Sequence, residues 1–166
     1  MIIGIGGVSR AGKTSLALQI EKWYESGSVK ILHQDDFIRP IEKMPLVKGH
    51  IDWEHPDSYD FVGLVKTIKK ERKKFDIVVV EGLMVFGNQQ LAKLMDKRIY
   101  IRISKEAFLS RKTLDNRWED EPDWYIEHIW ESHFVFGLVP QGFDHIMQLD
   151  GEAGFVDEIV QKYINN

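Results

Sequence analysis

Apolar positions along the chain follow two alternating rhythms. Short β-rich runs occur at 2–5, 29–32, 76–80, 98–103 and 145–149, and each is read as a strand. Between them lie segments with helical spacing. Leu16, Ile20 and Trp23 follow Lys13 and stop before Gly27. Phe61, Leu64, Val65 and Ile68 fall at i, i+3, i+4 and i+7 within 57–74. Further helices are predicted at 91–95, 105–116, 123–136 and 155–164. The run 76–80 is continuous and β-branched, as expected of a strand covered on both faces. The stretch 39–56 holds three prolines and a glycine and reads mostly as loop. Strands alternating with helices predict an α/β fold with a mainly parallel five-stranded sheet and helices on both faces. Right-handed crossovers then gather the strand C-termini on one rim, where ligands bind.

That rim receives a phosphate-binding pattern. Gly7-Val8-Ser9-Arg10-Ala11-Gly12-Lys13-Thr14 matches G-x-x-x-x-G-K-[ST], with a strand before it and a helix after. Glycines let the backbone curl so that its N–H groups point inward, and the following helix adds its positive end. Gly7, Ser9, Arg10, Ala11, Gly12, Lys13, Thr14 and Ser15 are therefore the candidate nucleotide contacts. Lys13 is expected to reach the outer phosphates and the Thr14 hydroxyl to bind Mg²⁺.

Acids stand on the same rim. Glu81 follows the strand 76–80 directly and is a candidate for holding Mg²⁺, or else an ordinary strand-terminal carboxylate. Asp35 and Asp36 end the second strand, where a carboxylate can orient an acceptor hydroxyl and take its proton; a polar turn and a metal-ligating pair are the other readings. Arg111 and Arg117, on or just past the helix after the fourth strand, either close over the phosphates as a lid or pair at the surface with Glu106, Asp115 or Glu119. Trp53 beside Glu54 offers a ring face and a diol-binding carboxylate; a tryptophan plugging the loop into the core is the structural alternative.

Composition narrows the classes. The 166 residues carry 43 % apolar and 29 % charged side chains, which suits one folded domain, 1–166, with a lid region at about 111–136. The net charge of -4 argues against general nucleic-acid binding. There is no cysteine, and no apolar run is long enough to span a bilayer. A cytoplasmic protein, monomeric or homodimeric and acting on a small molecule, is the expectation. Lys66, Lys69, Lys70, Lys73 and Lys74 read as a solvated helix face, and His128 and His133 are not spaced as a zinc pair. Trp118, Trp124 and Trp130 fit core packing, a lid hinge or a pocket wall equally.

Taken together, these motifs resemble the nicotinamide riboside kinase and uridine kinase group of P-loop kinases. Gln34-Asp35-Asp36-Phe37 resembles the group's strand-end motif, Asp52-Trp53-Glu54-His55-Pro56-Asp57-Ser58 its sugar-binding segment, and Glu81-Gly82 its magnesium-associated strand end. Tyr125-Ile126-Glu127-His128-Ile129-Trp130 resembles the aromatic segment after the lid, and Leu149-Asp150-Gly151 the turn near the adenine. The resemblance implies a P-loop fold, ATP with Mg²⁺, and phosphorylation of a ribose 5′-hydroxyl, with Asp35 as base and metal-side carboxylate and Trp53, Glu54, Asp35 and Glu81 around the substrate. Glu54 stands where the group has aspartate, which lengthens the arm expected to grip the ribose hydroxyls. The uridine kinases' base-pocket insertion is short here, which favours nicotinamide riboside over a pyrimidine nucleoside. A GTP switch is the competing class. It needs a guanine-reading N-K-x-D motif, which is missing, and the D-x-x-G spacing of Asp60-Phe61-Val62-Gly63 falls on a helix.

Overall fold

The computed structural model describes the chain except residues 26, 115–121, 138–145 and 155–156 and the side chains of 157–159. In chain order the elements are β1 (Ile2–Gly7), α1 (Lys13–Trp23), β2 (Val29–His33), β3 (Leu46–Val47), β4 (His50–Ile51), α2 (Phe61–Glu71), β5 (Ile77–Glu81), α3 (Gln89–Ala92), β6 (Lys97–Arg102), α4 (Lys105–Thr113), α5 (Asp123–Phe136), β7 (Met147–Asp150) and α6 (Asp157–Asn165). Five strands form one parallel sheet in the order β2-β5-β1-β6-β7. The predicted α/β class and five-stranded sheet are therefore observed.

Strand alternation sorts the core into two layers. Ile3, Ile5, Ile77, Val79, Ile99 and Ile101 point to the face covered by α1, α4, α5 and α6. Ile2, Val78, Val80 and Tyr100 point to the opposite face, against Leu64 and Ile68 of α2 and Leu91 of α3. Because β5 is covered on both sides, its continuous apolar sequence is what burial demands.

Local chemistry explains where helices start. Asp60 caps α2, its Oδ1 accepting the Gly63 N–H at 2.9 Å. The D-x-x-G spacing is thus a helix cap, with α2 starting at Phe61 rather than 57, after a short turn at Pro56–Ser58. Ser104 caps α4 in the same way. The lysines of α2 are exposed opposite Leu64 and Ile68, as a solvated face requires.

The segment 39–56 departs from the loop expectation at one point. β3 and β4 pair antiparallel around Lys48 and Gly49, both at positive φ (50° and 80°), a two-residue hairpin turn. Its strands are two residues each, too short for any alternation to show. The hairpin docks on α5, with the His50 ring 4.4 Å from that of Tyr125 and the Lys48 ammonium 4.7 Å from the Trp124 ring centre. No helix among the described residues is long and apolar enough to cross a membrane.

Candidate functional site

A cleft of about 680 Å³ opens at the C-terminal rim of the sheet, within the range of small-molecule sites. Ser9, Arg10, Gly12, Lys13, Thr14 and Ser15 line one end. Asp35, Trp53, Glu54 and Tyr59 line the other, and Glu81 of β5, Arg111 and Lys112 of α4 and Ile129 of α5 complete the wall. Residues as far apart as 9 and 129 in sequence thus converge on one space.

The phosphate-loop end is shaped by backbone conformation. Gly12 precedes α1 at φ 104°, a left-handed geometry that costs glycine little. Arg10 holds φ 64° without that freedom, a strained position of the kind that persists where surrounding structure dictates it. The Ala11 N–H bonds the Val8 carbonyl at 3.2 Å, and the Lys13 ammonium donates to the same oxygen at 3.0 Å. Lys13 therefore folds over its own loop and keeps its charge at the loop mouth. Two of the eight predicted contact residues do not line the cleft. Ala11 is fully buried in the core, and Gly7 ends β1 against the Ile101 carbonyl. Both shape the loop from behind because their neighbours pack against the sheet.

Strand register builds the acidic centre. In the parallel pairing of β2 with β5, His33 lies opposite Glu81. Glu81 is 6 % exposed, and its Oε1 accepts from the Thr14 hydroxyl at 2.9 Å and contacts His33 Nδ1 at 2.7 Å. The carboxylate only accepts, so His33 carries its proton on Nδ1 there. With Thr14 donating its proton to Glu81, the hydroxyl lone pairs stay available. Hydroxyl and carboxylate oxygens form the hard donor set that suits Mg²⁺. Among the described residues no group of three or more His, Cys, Asp or Glu is arranged to hold a metal by itself. A hard cation here would complete its shell with phosphate and water.

Asp35 sits just past β2 in a single turn of 3₁₀-helix, Gln34–Phe37. The Gln34 side chain anchors that turn by accepting the Met84 N–H at 2.9 Å, beneath Gly82. Asp35 is exposed to the cleft, yet the concave wall around it withdraws water, and its pKa is raised. Desolvation is the main cause; Lys13 opposes it, Glu81 adds to it, His33 opposes it and Asp36 adds to it. Asp36 is also exposed but does not line the cleft. Glu54 is pushed up to about 8 by burial first and by the charge of Asp35, with Lys112 and Lys13 pulling it down. Burial also raises the Tyr59 hydroxyl, next to Glu54 and Asp35, which keeps it a proton donor.

Arg111 lines the cleft, with its guanidinium donating to the Arg10 carbonyl at 3.1 Å and the Gly151 carbonyl at 2.9 Å. It ties α4 to the phosphate loop and to the turn after β7. Gly151 itself leaves no room for a side chain, since a Cβ would lie 2.7 Å from the Ala11 carbonyl oxygen. Arg117 and Trp118 lie outside the described residues, as do Asp115 and Glu119. Trp53 is half-buried and packs against the core while also lining the cleft, so both readings of it hold in part. Trp124 and Trp130 pack against the same core cluster and do not line the cleft. His128 bonds Asp52 and His133 bonds the Trp130 carbonyl, so each has a protein partner.

Sequence reasoning missed Tyr59 and Lys112 as cleft residues and His33 as the partner of Glu81. Lys112 is 7 % exposed and adjoins Arg111; its position beside a predicted lid arginine was the available signal. No local signal marks His33 or Tyr59, because strand register and loop closure bring them in.

No family model matches the chain. A uridine kinase of Chlamydia pneumoniae is 30% identical over 138 residues, covering 68% of this chain; the chain spans 62% of that protein's length. Nicotinamide riboside kinase 1 of Homo sapiens is 24% identical over 180 residues, 98% of this chain and 89% of that protein. Among solved structures, a possible uridine kinase from Bacillus stearothermophilus superposes with a TM-score of 0.55 at 21% identity, covering 89% of this chain and 88% of that one. The resemblance read from the motifs is thereby shown: proteins named nicotinamide riboside kinase and uridine kinase are relatives of this chain, and its fold is that of the P-loop kinases.

Proposed function

We propose that this relative of the uridine and nicotinamide riboside kinases transfers the terminal phosphate of ATP to the ribose 5′-hydroxyl of a nucleoside, with nicotinamide riboside the leading acceptor. The observation that carries the reading is the convergence of Lys13, Thr14, Asp35 and Glu81 on one cleft whose far end holds Trp53 and Glu54.

The loop 7–15 and the N-terminus of α1 cradle the triphosphate, and Lys13 swings from the Val8 carbonyl to the outer phosphates. Thr14, Glu81 and, on the acceptor side, Asp35 are the residues that would hold Mg²⁺. Held by these oxygens, Mg²⁺ would supply positive charge against the negative charge that develops on the transferred phosphate. Asp35 accepts a hydrogen bond from the acceptor hydroxyl and takes its proton as the new O–P bond forms. The bond between the terminal phosphorus and the bridging oxygen breaks in line with that attack, and ADP leaves. Arg111, Lys112 and, on the segment after α4, Arg117 add positive charge as a lid over about 111–136. A raised Asp35 pKa suits a proton acceptor better than an ordinary surface carboxylate would. The Trp53 ring offers a face to a cationic pyridinium base, and the Glu54 carboxyl a partner for the ribose diol. A pyrimidine nucleoside is the second reading, favoured by the 30% identity to a uridine kinase.

A coupled ADP-release assay across a nucleoside panel tests this. We expect acceptor-dependent turnover, and a fall of roughly 10²–10⁴-fold in kcat for Asp35→Asn. Full activity in Asp35→Asn on the best acceptor rules the mechanism out.

A further inference from the structure

The arm that carries Trp53 and Glu54 has weak internal support. Between β4 and the short turn at Pro56–Ser58 it runs without helix or strand, held by turn bonds: the His55 N–H reaches the Asp52 carbonyl at 3.4 Å, the Ser58 hydroxyl reaches that same oxygen at 2.5 Å, and the Ser58 N–H reaches the His55 carbonyl at 3.0 Å. Backbone bonds tie its two ends, from the Asp52 N–H to the Pro45 carbonyl and from the Arg39 N–H to the Ser58 carbonyl, both at 2.9 Å, while side-chain bonds to its middle come from α5, more than 70 residues away in sequence. The His128 Nε2 lies 2.8 Å from Asp52 Oδ1, which also accepts the Glu54 N–H at 3.1 Å. One carboxylate oxygen therefore joins α5 to the arm. Next to it, the Trp53 N–H donates to the Tyr125 hydroxyl at 2.7 Å. Asp52 is 6 % exposed and Tyr125 fully buried, so water does not readily replace either bond. The carboxylate cannot donate, which places the His128 proton on Nε2.

None of Asp52, Tyr125 and His128 lines the cleft, whereas Trp53 and Glu54 do. Ile129 of α5 lines the cleft with an apolar side chain, but the polar bonds of Asp52, Tyr125 and His128 reach it through the arm. We propose that Asp52 and His128, with the Tyr125 hydroxyl, form a clasp that sets where Trp53 and Glu54 stand, so that acceptor binding depends on it and ATP binding does not. The pair are positioning residues. A charge-assisted bond of this length is directional, and losing it frees the arm while leaving the phosphate loop, held by β1 and α1, untouched. The same helix α5 meets α4 through Lys105 and Glu127 at 2.5 Å, so it supports both walls of the cleft, but only the arm hangs from it by the Asp52 carboxylate. This clasp rests on the kinase reading for its kinetic consequence, and on geometry alone for its existence.

The test compares His128→Leu, His128→Gln and Tyr125→Phe with the unmodified protein. His128→Leu should raise the acceptor KM about tenfold with the ATP KM held within about twofold, and His128→Gln, whose amide can donate to Asp52, should recover most of the loss. Tyr125→Phe should act in the same direction and less strongly. Amide hydrogen exchange supplies a readout without turnover. Exchange at Trp53 and Glu54 should accelerate in His128→Leu while the amides of 8–14 keep their rates. Equal losses in kcat and both KM values, unrelieved in His128→Gln, would show a general packing role and overturn the clasp. Should the unmodified protein phosphorylate no nucleoside, the functional reading falls, and exchange alone decides: unchanged rates at Trp53 and Glu54 refute the clasp, faster ones sustain it. If His128→Leu does not fold, the Tyr125→Phe exchange pattern decides on the same terms.

Discussion

The two ends of the cleft are built in opposite ways. The phosphate-loop end is contiguous: Ser9, Arg10 and Gly12 to Ser15 supply its wall, the strand before them and the helix after them fix its shape, and Arg10 and Gly12 hold the left-handed backbone it turns on. The acceptor end is assembled. Asp35 comes from the turn after β2, Trp53 and Glu54 from an arm clasped by α5, Tyr59 from the start of the next segment, and Lys112 from α4. A contiguous site takes most of its geometry from its own neighbours and depends on few distant braces, here Arg111 and the turn at Gly151. An assembled site inherits every error of the elements that carry it, and so it is where specificity between related acceptors can shift without loss of the nucleotide site.

Three substitutions sharpen that contrast. The largest effect belongs to Lys13→Ala, which removes the charge at the loop mouth. Steady-state kinetics should show a fall of about a thousandfold in kcat/KM for every acceptor alike, because the lost contact is to the shared phosphate. An acceptor-dependent loss would break the division between the two ends. Next comes Gly151→Ala, remote from the acceptor. Its Cβ would meet the Ala11 carbonyl and the Ile101 and Ile103 methyls, each under 3 Å away. Urea denaturation should show destabilisation of about 1–3 kcal/mol, with ATP affinity weakened and acceptor affinity kept once folded protein is compared.

The third effect is electrostatic and leaves the nucleotide end untouched. Glu54 has a folded-state pKa pushed up to about 8, above its ordinary 4.5, so between these values the folded protein binds the extra proton and the unfolded chain does not. Stability from this group is therefore complete below the lower value and is lost as pH rises towards the upper one. Melting temperature should decline across that window, and Glu54→Gln should flatten the decline. An unchanged slope in Glu54→Gln would show that the carboxyl is better solvated than its surroundings imply. Asp35, shifted in the same direction, contributes to the remaining slope.

How much of this could be read from residues alone follows the same division. The phosphate loop, the β1 run and the apolar run 77–80 of β5 were legible because each is a local pattern with one structural outcome: a glycine-rich turn between strand and helix, or a strand that must be buried on both faces. The hairpin β3–β4 was not, since two-residue strands carry no period and only the Lys48–Gly49 turn marks them. The start of α2 was read four residues early because Pro56–Ser58 forms a separate turn before the Asp60 cap.

The chain's own order of residues determined the α/β layering, the nucleotide loop, and the presence of carboxylates at strand ends. Those depend on backbone preference and on alternating burial, which act within a few residues. Tertiary structure decided that His33 faces Glu81, that Arg111 braces the loop from α4, and that Asp52 meets His128 across the fold. Such contacts depend on strand register and helix placement, which are set by the packing of the whole core, and no short stretch of sequence encodes them.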